Sequence, residues 1–141
     1  MVTMVGILVV SHGRLTEALI AAAQSLVGSL QKVTWISIWP KDKEKEVKDR
    51  IQRGITEVDD GDGVVILTDA LGGTPTNLSL SIFEDKEVEV VTGVNLPMLL
   101  TLSSYRKGKS IKELGQLLKR SGRRSITLAK EVLGSKRGDV R

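Results

Sequence analysis

The chain has 141 residues, of which 40% are apolar and 27% are charged, the composition of a single globular domain with its own hydrophobic core. It contains no cysteine and one histidine, His12, which excludes disulfide scaffolds, thiolate metal sites, cysteine nucleophiles and sites that need two histidines of one chain. The four aromatic residues are too few for a base-stacking surface, so no nucleic-acid partner is expected.

Charge is unevenly distributed along the chain. Residues 1–105 carry 9 Lys and Arg against 14 Asp and Glu, a net charge of −5, whereas residues 106–141 carry 12 against 3, a net charge of +9. Such a run is typical of a solvated helix face and a basic tail, and the alternative is a docking surface for an acidic partner or nucleic acid. We predict one domain over residues 1–134 and a disordered basic tail over residues 135–141.

The apolar start of the chain is predicted to be a buried strand. Residues 1–10 lack the basic leader of a signal peptide, and a polar turn follows them directly. No segment reaches the roughly 20 apolar residues that a membrane helix requires. A cytoplasmic location is therefore expected.

The first half of the chain predicts two strand–helix units. Residues 4–10 form a continuous run rich in apolar, β-branched residues, typical of a strand that is buried on both faces. A helix follows and ends at Gly28, and four apolar residues form its predicted inner face: Leu15, Leu19, Ala22 and Leu26. Residues 33–38 are the second strand, and residues 41–58 form a charged helix. Its predicted inner face consists of Val47, Ile51, Ile55 and Val58.

The second half continues the alternation. Residues 64–68 are the third strand, after which a glycine-bearing loop leads into a short helix that starts at Pro75. Residues 87–92 are the fourth strand, followed by helices over about residues 96–105 and over residues 110–119. The last of these helices has three residues directed inward: Ile111, Leu114 and Leu118.

Residues 125–132 fit either a fifth strand or a helix. Polar and apolar residues alternate over residues 125–129, which favours a half-buried strand. The polar residues 120–124 before it would act as a hinge. A strand tethered in this way can pair with its own sheet edge or with that of a second subunit.

Strand–helix alternation predicts an α/β fold with a doubly wound, mostly parallel sheet of four to five strands in the order 2-1-3-4 plus an edge strand. In this order strands 1 and 3 are neighbours, and the chain winds away from them in opposite directions. Ligands bind in the crevice beyond the carboxyl ends of such strands. His12 follows strand 1 and Asp69 follows strand 3, so both residues belong to this crevice.

The pair of His12 and Asp69 predicts nucleophilic chemistry. Neighbouring strands lie about 4.8 Å apart, so a carboxylate that follows strand 3 can reach a ring at the end of strand 1. A carboxylate bonded to one ring N–H leaves the other nitrogen free as a nucleophile. Gly13 allows the backbone to approach an anion at the start of the following helix. Taken alone, a single histidine is more often a structural or surface residue, and an aspartate in the position of Asp69 is also typical of a helix or loop cap.

The loop after strand 3 is suited to bind phosphate oxygens. Gly72 and Gly73 precede Thr74, a good N-cap, and Pro75 fits the first helical position. Two glycines before a capped helix form a nest of N–H groups, although glycine pairs are also common in tight turns. Ser11 and Asn95 are candidates for a supporting role. Together these loops indicate transient phosphorylation of His12, with neither a metal nor a cofactor.

Three motifs of the chain resemble those of a known family. The motifs are GILVVSHG at residues 6–13, DGVVILTD at 62–69 running into GGTPTN at 72–77, and VVTGVNLPML at 90–99. They resemble the enzyme IIA domain of the mannose family of the sugar phosphotransferase system, over about residues 4–133. The chain departs from the family at Ala70-Leu71, where a bulky aromatic residue is more usual, which leaves the partner surface and the sugar open.

The resemblance implies a phosphotransferase component that works by a transient phosphohistidine. His12 would accept a phosphoryl group from the histidine-containing phosphocarrier protein and pass it to a IIB partner for sugar uptake. Asp69 matches the aspartate that bonds the histidine, and Thr74 matches a hydroxyl residue near the phosphoryl group. The resemblance also implies a homodimer that exchanges its last strand, and contact with the membrane only through the permease complex.

Other functions share part of this pattern. A stand-alone carrier of an incomplete phosphotransferase system would report its phosphorylation state to a regulated protein instead of feeding a transporter. The phosphocarrier subunit of dihydroxyacetone kinase resembles this chain in its fold and in its histidine, but it has a Gly-Ser-Ala pattern after strand 3. Tetrapyrrole metal chelatases and histidine phosphatases carry a His-Gly turn after strand 1 but need a second histidine.

Overall fold

A computed structural model of the protein describes residues 4–70, residue 77 and residues 87–140. The strands within these ranges are β1 (Gly6–His12), β2 (Val33–Ile38), β3 (Val64–Thr68) and β4 (Val88–Thr92). The helices within them are α1 (Leu15–Val27), α2 (Glu44–Val58), α3 (Leu96–Tyr105), α4 (Ile111–Arg124) and α5 (Ala129–Val140).

The four described strands form one parallel sheet in the order β2-β1-β3-β4. This confirms the predicted α/β class and the order 2-1-3-4. The two central strands are buried on both faces, with Ile7 to Val10 and all of β3 without exposed surface. Continuous β-branched runs mark such strands because neither face meets water. The chain leaves β1 toward β2 and later returns to β3 on its other side, which creates the switch point between β1 and β3.

Two hydrophobic clusters cover the two faces of the sheet. Alternate residues of β1 point to opposite sides, so Leu8 and Val10 join one cluster while Ile7 and Val9 join the other. Helix α2 packs on the first face through the residues predicted for it: Val47, Ile51, Ile55 and Val58. Helices α1, α3 and α4 pack on the second face. Burial of each such side chain contributes about 1.5–3 kcal/mol, which holds the carboxyl ends of the strands in place.

The inner face of α1 differs from the prediction. Its buried residues are Thr16, Ile20 and Ala23, whereas Leu26 on the predicted face is 64% exposed. The observed and the predicted inner faces are thus offset by one residue along the sequence. The polar Thr16 is on the inner stripe because its hydroxyl hydrogen-bonds the hydroxyl of Ser37 on β2 at 2.9 Å. The spacing of apolar residues cannot identify an inner helix face that includes a polar residue such as Thr16, whose hydroxyl is hydrogen-bonded.

The segment near the carboxyl end that fits either a fifth strand or a helix is not a strand in the single chain. Residues 125–128 form no strand, and α5 follows them, which is the helical alternative for this segment. The residues interpreted as a hinge are instead the last turn of α4, because Gly122 lies against Met98 and the Asn95 side chain donates to the Gly122 carbonyl at 3.1 Å. The backbone of residues 135–140, where a disordered tail is expected, continues α5.

Candidate functional site

His12 and Asp69 meet at the switch point of the sheet. His12 is the last residue of β1, and Asp69 directly follows the neighbouring strand β3. The Asp69 carboxylate oxygen Oδ2 lies 2.8 Å from the ring nitrogen Nδ1 of His12. The same oxygen accepts the backbone N–H of His12 at 3.1 Å. One carboxylate therefore holds both the ring and the backbone of the histidine, as the sequence predicts from their strands.

The site keeps Asp69 ionised. Burial raises the pKa of the Asp69 carboxyl, but hydrogen bonds from the backbone and ring of His12 and the charge of that ring lower it more. A hydrogen bond from the backbone of Asp69 itself adds to this lowering. The net result is a pKa below the ordinary value of 3.8. At neutral pH the carboxylate is thus an acceptor, and it requires a proton on Nδ1 of the ring.

The second ring nitrogen of His12, Nε2, is available for chemistry. In the neutral form of the ring, a proton held on Nδ1 leaves the lone pair on Nε2. The His12 side chain is 54% exposed, whereas that of Asp69 is only 15% exposed. Among the described residues, Nε2 has no hydrogen-bond partner. The arrangement is an oriented nucleophile that faces solvent above a shielded carboxylate.

A cleft of about 340 Å³ opens beside His12. The lining residues are His12, Ile38, Trp39, Pro40, Asp42, Glu44, Val47 and Asn77. Most of them come from the end of β2 and the beginning of α2, on the side of β1 opposite to Asp69. The sequence marks this segment with Trp39-Pro40 directly after a strand, but a proline at that place is equally typical of a simple turn.

Gly13 adopts a backbone conformation that favours glycine. Its φ angle is +59°, in the left-handed region, and its N–H donates to the carbonyl of Ile38 at 2.9 Å. The chain can therefore turn from β1 into α1 directly after His12. Gly72, Gly73 and Thr74, the other predicted phosphoryl-binding residues, lie outside the described residues.

The two candidates for a supporting role, Ser11 and Asn95, do not belong to the lining of the cleft. Ser11 is fully buried, and its neighbour across the β1–β2 pairing is Ser37. Asn95 caps α3, where its side chain accepts the N–H of Met98 at 3.2 Å. It follows β4, two strand positions from β1, and therefore about 10 Å away across the sheet. Its contacts assign Asn95 to the packing of α3 against α4.

Within the described part of the chain, no group of three His, Asp or Glu side chains is arranged to hold a metal ion. No helix among these residues is long and apolar enough to cross a bilayer.

Comparison with known proteins gives one consistent result. Residues 6–118 match the family described as PTS system fructose IIA component. The chain is 33% identical over 128 residues to the mannose-specific EIIAB component of Escherichia coli K12, covering 89% of this chain and 40% of that protein. It is 26% identical to the fructose-specific EIIA component of Bacillus subtilis, covering 92% and 90%. The chain thus spans less than half of the EIIAB component but most of the EIIA component.

A solved structure shares the fold. The mannose/sorbose specific IIA subunit of the phosphotransferase system from Enterococcus faecalis has a TM-score of 0.80 and 25% sequence identity to this chain. The alignment covers 89% of this chain and 95% of that subunit. The sugars in the names of these proteins differ, so the shared feature is the phosphotransferase component and not one substrate.

Proposed function

Since the chain belongs to the mannose family of phosphotransferase-system IIA components, we propose that it carries a phosphoryl group on His12. The donor is the histidine-containing phosphocarrier protein, and the acceptor is a IIB component that serves sugar uptake. The observation that supports this best is the 2.8 Å contact between Nδ1 of the exposed His12 ring and Asp69. A cytoplasmic location, with membrane contact only through the permease complex, is part of the proposal.

The transfer needs no proton to enter or leave the site. The lone pair of His12 Nε2 attacks phosphorus while the phosphorus–nitrogen bond of the donor breaks, and that electron pair stays on the donor nitrogen. The His12 ring keeps its proton on Nδ1 and becomes positively charged. The Asp69 carboxylate at 2.8 Å stabilises this charge. The reverse displacement passes the phosphoryl group to the acceptor.

Radiolabelled phosphoenolpyruvate tests the proposal directly. With enzyme I and the phosphocarrier present, we expect one acid-labile, base-stable phosphate on His12, and addition of a IIB component should remove it. The variant His12→Ala should take up no label. Label that persists in this variant would contradict the assignment. A carrier that is labelled but gives nothing to any IIB component would instead support the stand-alone regulatory role.

We also propose that the protein forms a homodimer. Strand β4 is an edge of the described sheet and pairs only with β3 there. A groove of about 440 Å³ runs between this edge and α4, and Ile126 lies at its border. An uncovered strand edge presents unpaired N–H and C=O groups, which a second copy would satisfy.

A further inference from the structure

An exposed tryptophan lies directly beside the phosphoryl-accepting histidine. Trp39 follows β2, is 41% exposed and lines the same cleft as His12. Its ring carbon Cζ3 lies 3.9 Å from the position that a Cβ would take on Gly13, the residue after His12. Most of a tryptophan ring is apolar, so exposure to water leaves a large favourable area for a partner to bury.

The backbone around Trp39 is held in one conformation. The N–H of Trp39 donates to the Asp42 carboxylate at 2.9 Å, and the N–H of Asp42 donates to the carbonyl of Trp39 at 3.0 Å. Arg50 on α2 lies 3.7 Å from the same carboxylate and also donates to the carbonyl of Ser37. The turn is thus tied to both β2 and α2. A surface fixed before binding loses little conformational entropy when a partner arrives.

The charges around the cleft indicate what a partner must carry. Its lining includes the carboxylates of Asp42, which lies 3.7 Å from Arg50, and Glu44, and the exposed Lys41 and Lys43 flank them in the sequence. A partner therefore fits best if it presents an apolar centre that covers Trp39 within a polar border able to pair with both signs of charge. In-line transfer also requires its phosphorylated nitrogen to face Nε2 of His12, so its surface must lie against the cleft.

We propose that Trp39 is the aromatic anchor on which the phosphodonor protein docks, and that the Asp42–Arg50 pair positions it. This inference rests on the proposed function and names the surface that serves it. Tryptophans in fixed positions near the centre of an interface are the residues whose removal weakens binding most. Trp39 occupies such a position because it lines the same cleft as His12.

The chain offers a matched control for this role. Trp35 on β2 is 44% exposed, as much as Trp39, but lines a different surface cavity with Arg50, Arg53 and Glu57. We expect Trp39→Ala to raise the KM for the phosphorylated donor about 30-fold, with a much smaller change in kcat. Trp39→Phe should recover part of the loss, and Trp35→Ala should change the KM far less than Trp39→Ala does. Circular dichroism checks that each variant is folded.

Tryptophan fluorescence measures the contact itself. Trp35 and Trp39 are the only tryptophans, so in the Trp35→Phe variant all of the indole signal comes from Trp39. Adding the unphosphorylated donor should shift this emission to shorter wavelength as the ring is buried. Arg50→Lys, which removes the planar fork of the guanidinium, should weaken the binding without abolishing it.

The outcomes separate the inference from the function on which it rests. If the donor does not phosphorylate the wild-type protein, the proposed function fails and the inference fails with it. If the wild type is phosphorylated but Trp39→Ala and Trp35→Ala have the same KM, only the inference fails. It also fails if only transfer to IIB is slowed, or if labelling by phosphoramidate, a small donor, slows as much as labelling by the protein.

Discussion

Asp69 acts on His12 in two ways through one oxygen atom. It accepts the ring N–H at 2.8 Å and the backbone N–H at 3.1 Å, so ring orientation and strand end are fixed together. In the proposed transfer, the first contact would set which nitrogen is the nucleophile and would stabilise the positively charged ring. The second contact holds the Asp69 carboxylate against the backbone of His12, and this restricts the direction in which the ring nitrogen can point. A residue with only one of these contacts would leave the ring freer to rotate.

Asp69→Ala should therefore slow phosphoryl transfer about 10²–10⁴-fold while the fold stays intact. Rapid-quench measurement of a single turnover from the phosphorylated donor gives this rate. Asp60→Ala is the matched control, because Asp60 pairs with Lys32 at 3.1 Å and makes no contact with His12. Equal rates for the wild type and the Asp69 variant would make Asp69 a purely structural residue.

The lowered pKa of Asp69 also predicts a pH dependence of stability. A carboxyl whose folded pKa lies below its unfolded value contributes stability above the unfolded pKa, and loses it as pH falls through the folded pKa. The difference in unfolding free energy between the wild type and Asp69→Asn should shrink as the pH falls below about pH 4. Urea titrations at several pH values measure it. A difference that grows toward low pH would contradict the assigned direction.

At the scale of elements, a close approach between β1 and α2 depends on Gly6. A Cβ on this residue would lie 2.3 Å from the carbonyl oxygen of Val58, a backbone atom with little freedom to move. Gly6→Ala should therefore lower the free energy of unfolding by about 1–3 kcal/mol, as overpacking in a core does.

Gly134→Ala is the matched control for that substitution. A Cβ on Gly134 meets no atom within 4 Å, and this residue lies in α5, where alanine is favoured over glycine. We expect no loss of stability from it in thermal or urea unfolding. If both variants were equally stable, the close packing of Val58 against β1 would not be a constraint.

The sequence predicts the central elements well because each has one strong cause. Buried parallel strands need unbroken apolar runs, and α3 begins at an asparagine cap followed by proline, so its predicted bounds match those observed. The order of the strands follows from the alternation, and with it the meeting of His12 and Asp69.

The remaining elements depend on contacts that periodicity does not record. The inner face of α1 depends on a hydroxyl pair between Thr16 and Ser37. The end of α4 depends on Asn95 and Met98, which are more than twenty residues away in sequence. The sequence does not identify Trp39 as a residue of the cleft, because no local sequence feature distinguishes an exposed tryptophan from a buried one.

At the scale of the whole molecule, the residues after α4 leave apolar surface uncovered in the single chain. Ile126 is 80% exposed and lines the groove beside β4, the edge strand of the described sheet, and Leu128 is 66% exposed. We expect these residues to cover that edge of a second copy, which gives a mass near twice 15.3 kDa by light scattering.

Truncation tests which residues hold the dimer together. A chain that ends at Ser125 keeps all of α4 and should be monomeric, whereas one that ends at Gly134 keeps the exposed apolar residues and should remain dimeric. Full-length protein that stays monomeric at micromolar concentration would rule out the dimer. The chemistry of His12 and Asp69 would be unaffected, because both residues lie on one chain.

The central claim is that Asp69 holds the proton on Nδ1 of His12 and thereby directs phosphorus to Nε2. Nitrogen-15 NMR of the phosphorylated protein identifies the modified ring atom through its coupling to phosphorus. We predict phosphorus on Nε2 of His12, with the Nδ1 proton retained and hydrogen-bonded to Asp69. Phosphorus on Nδ1, or on any residue other than His12, would contradict the account.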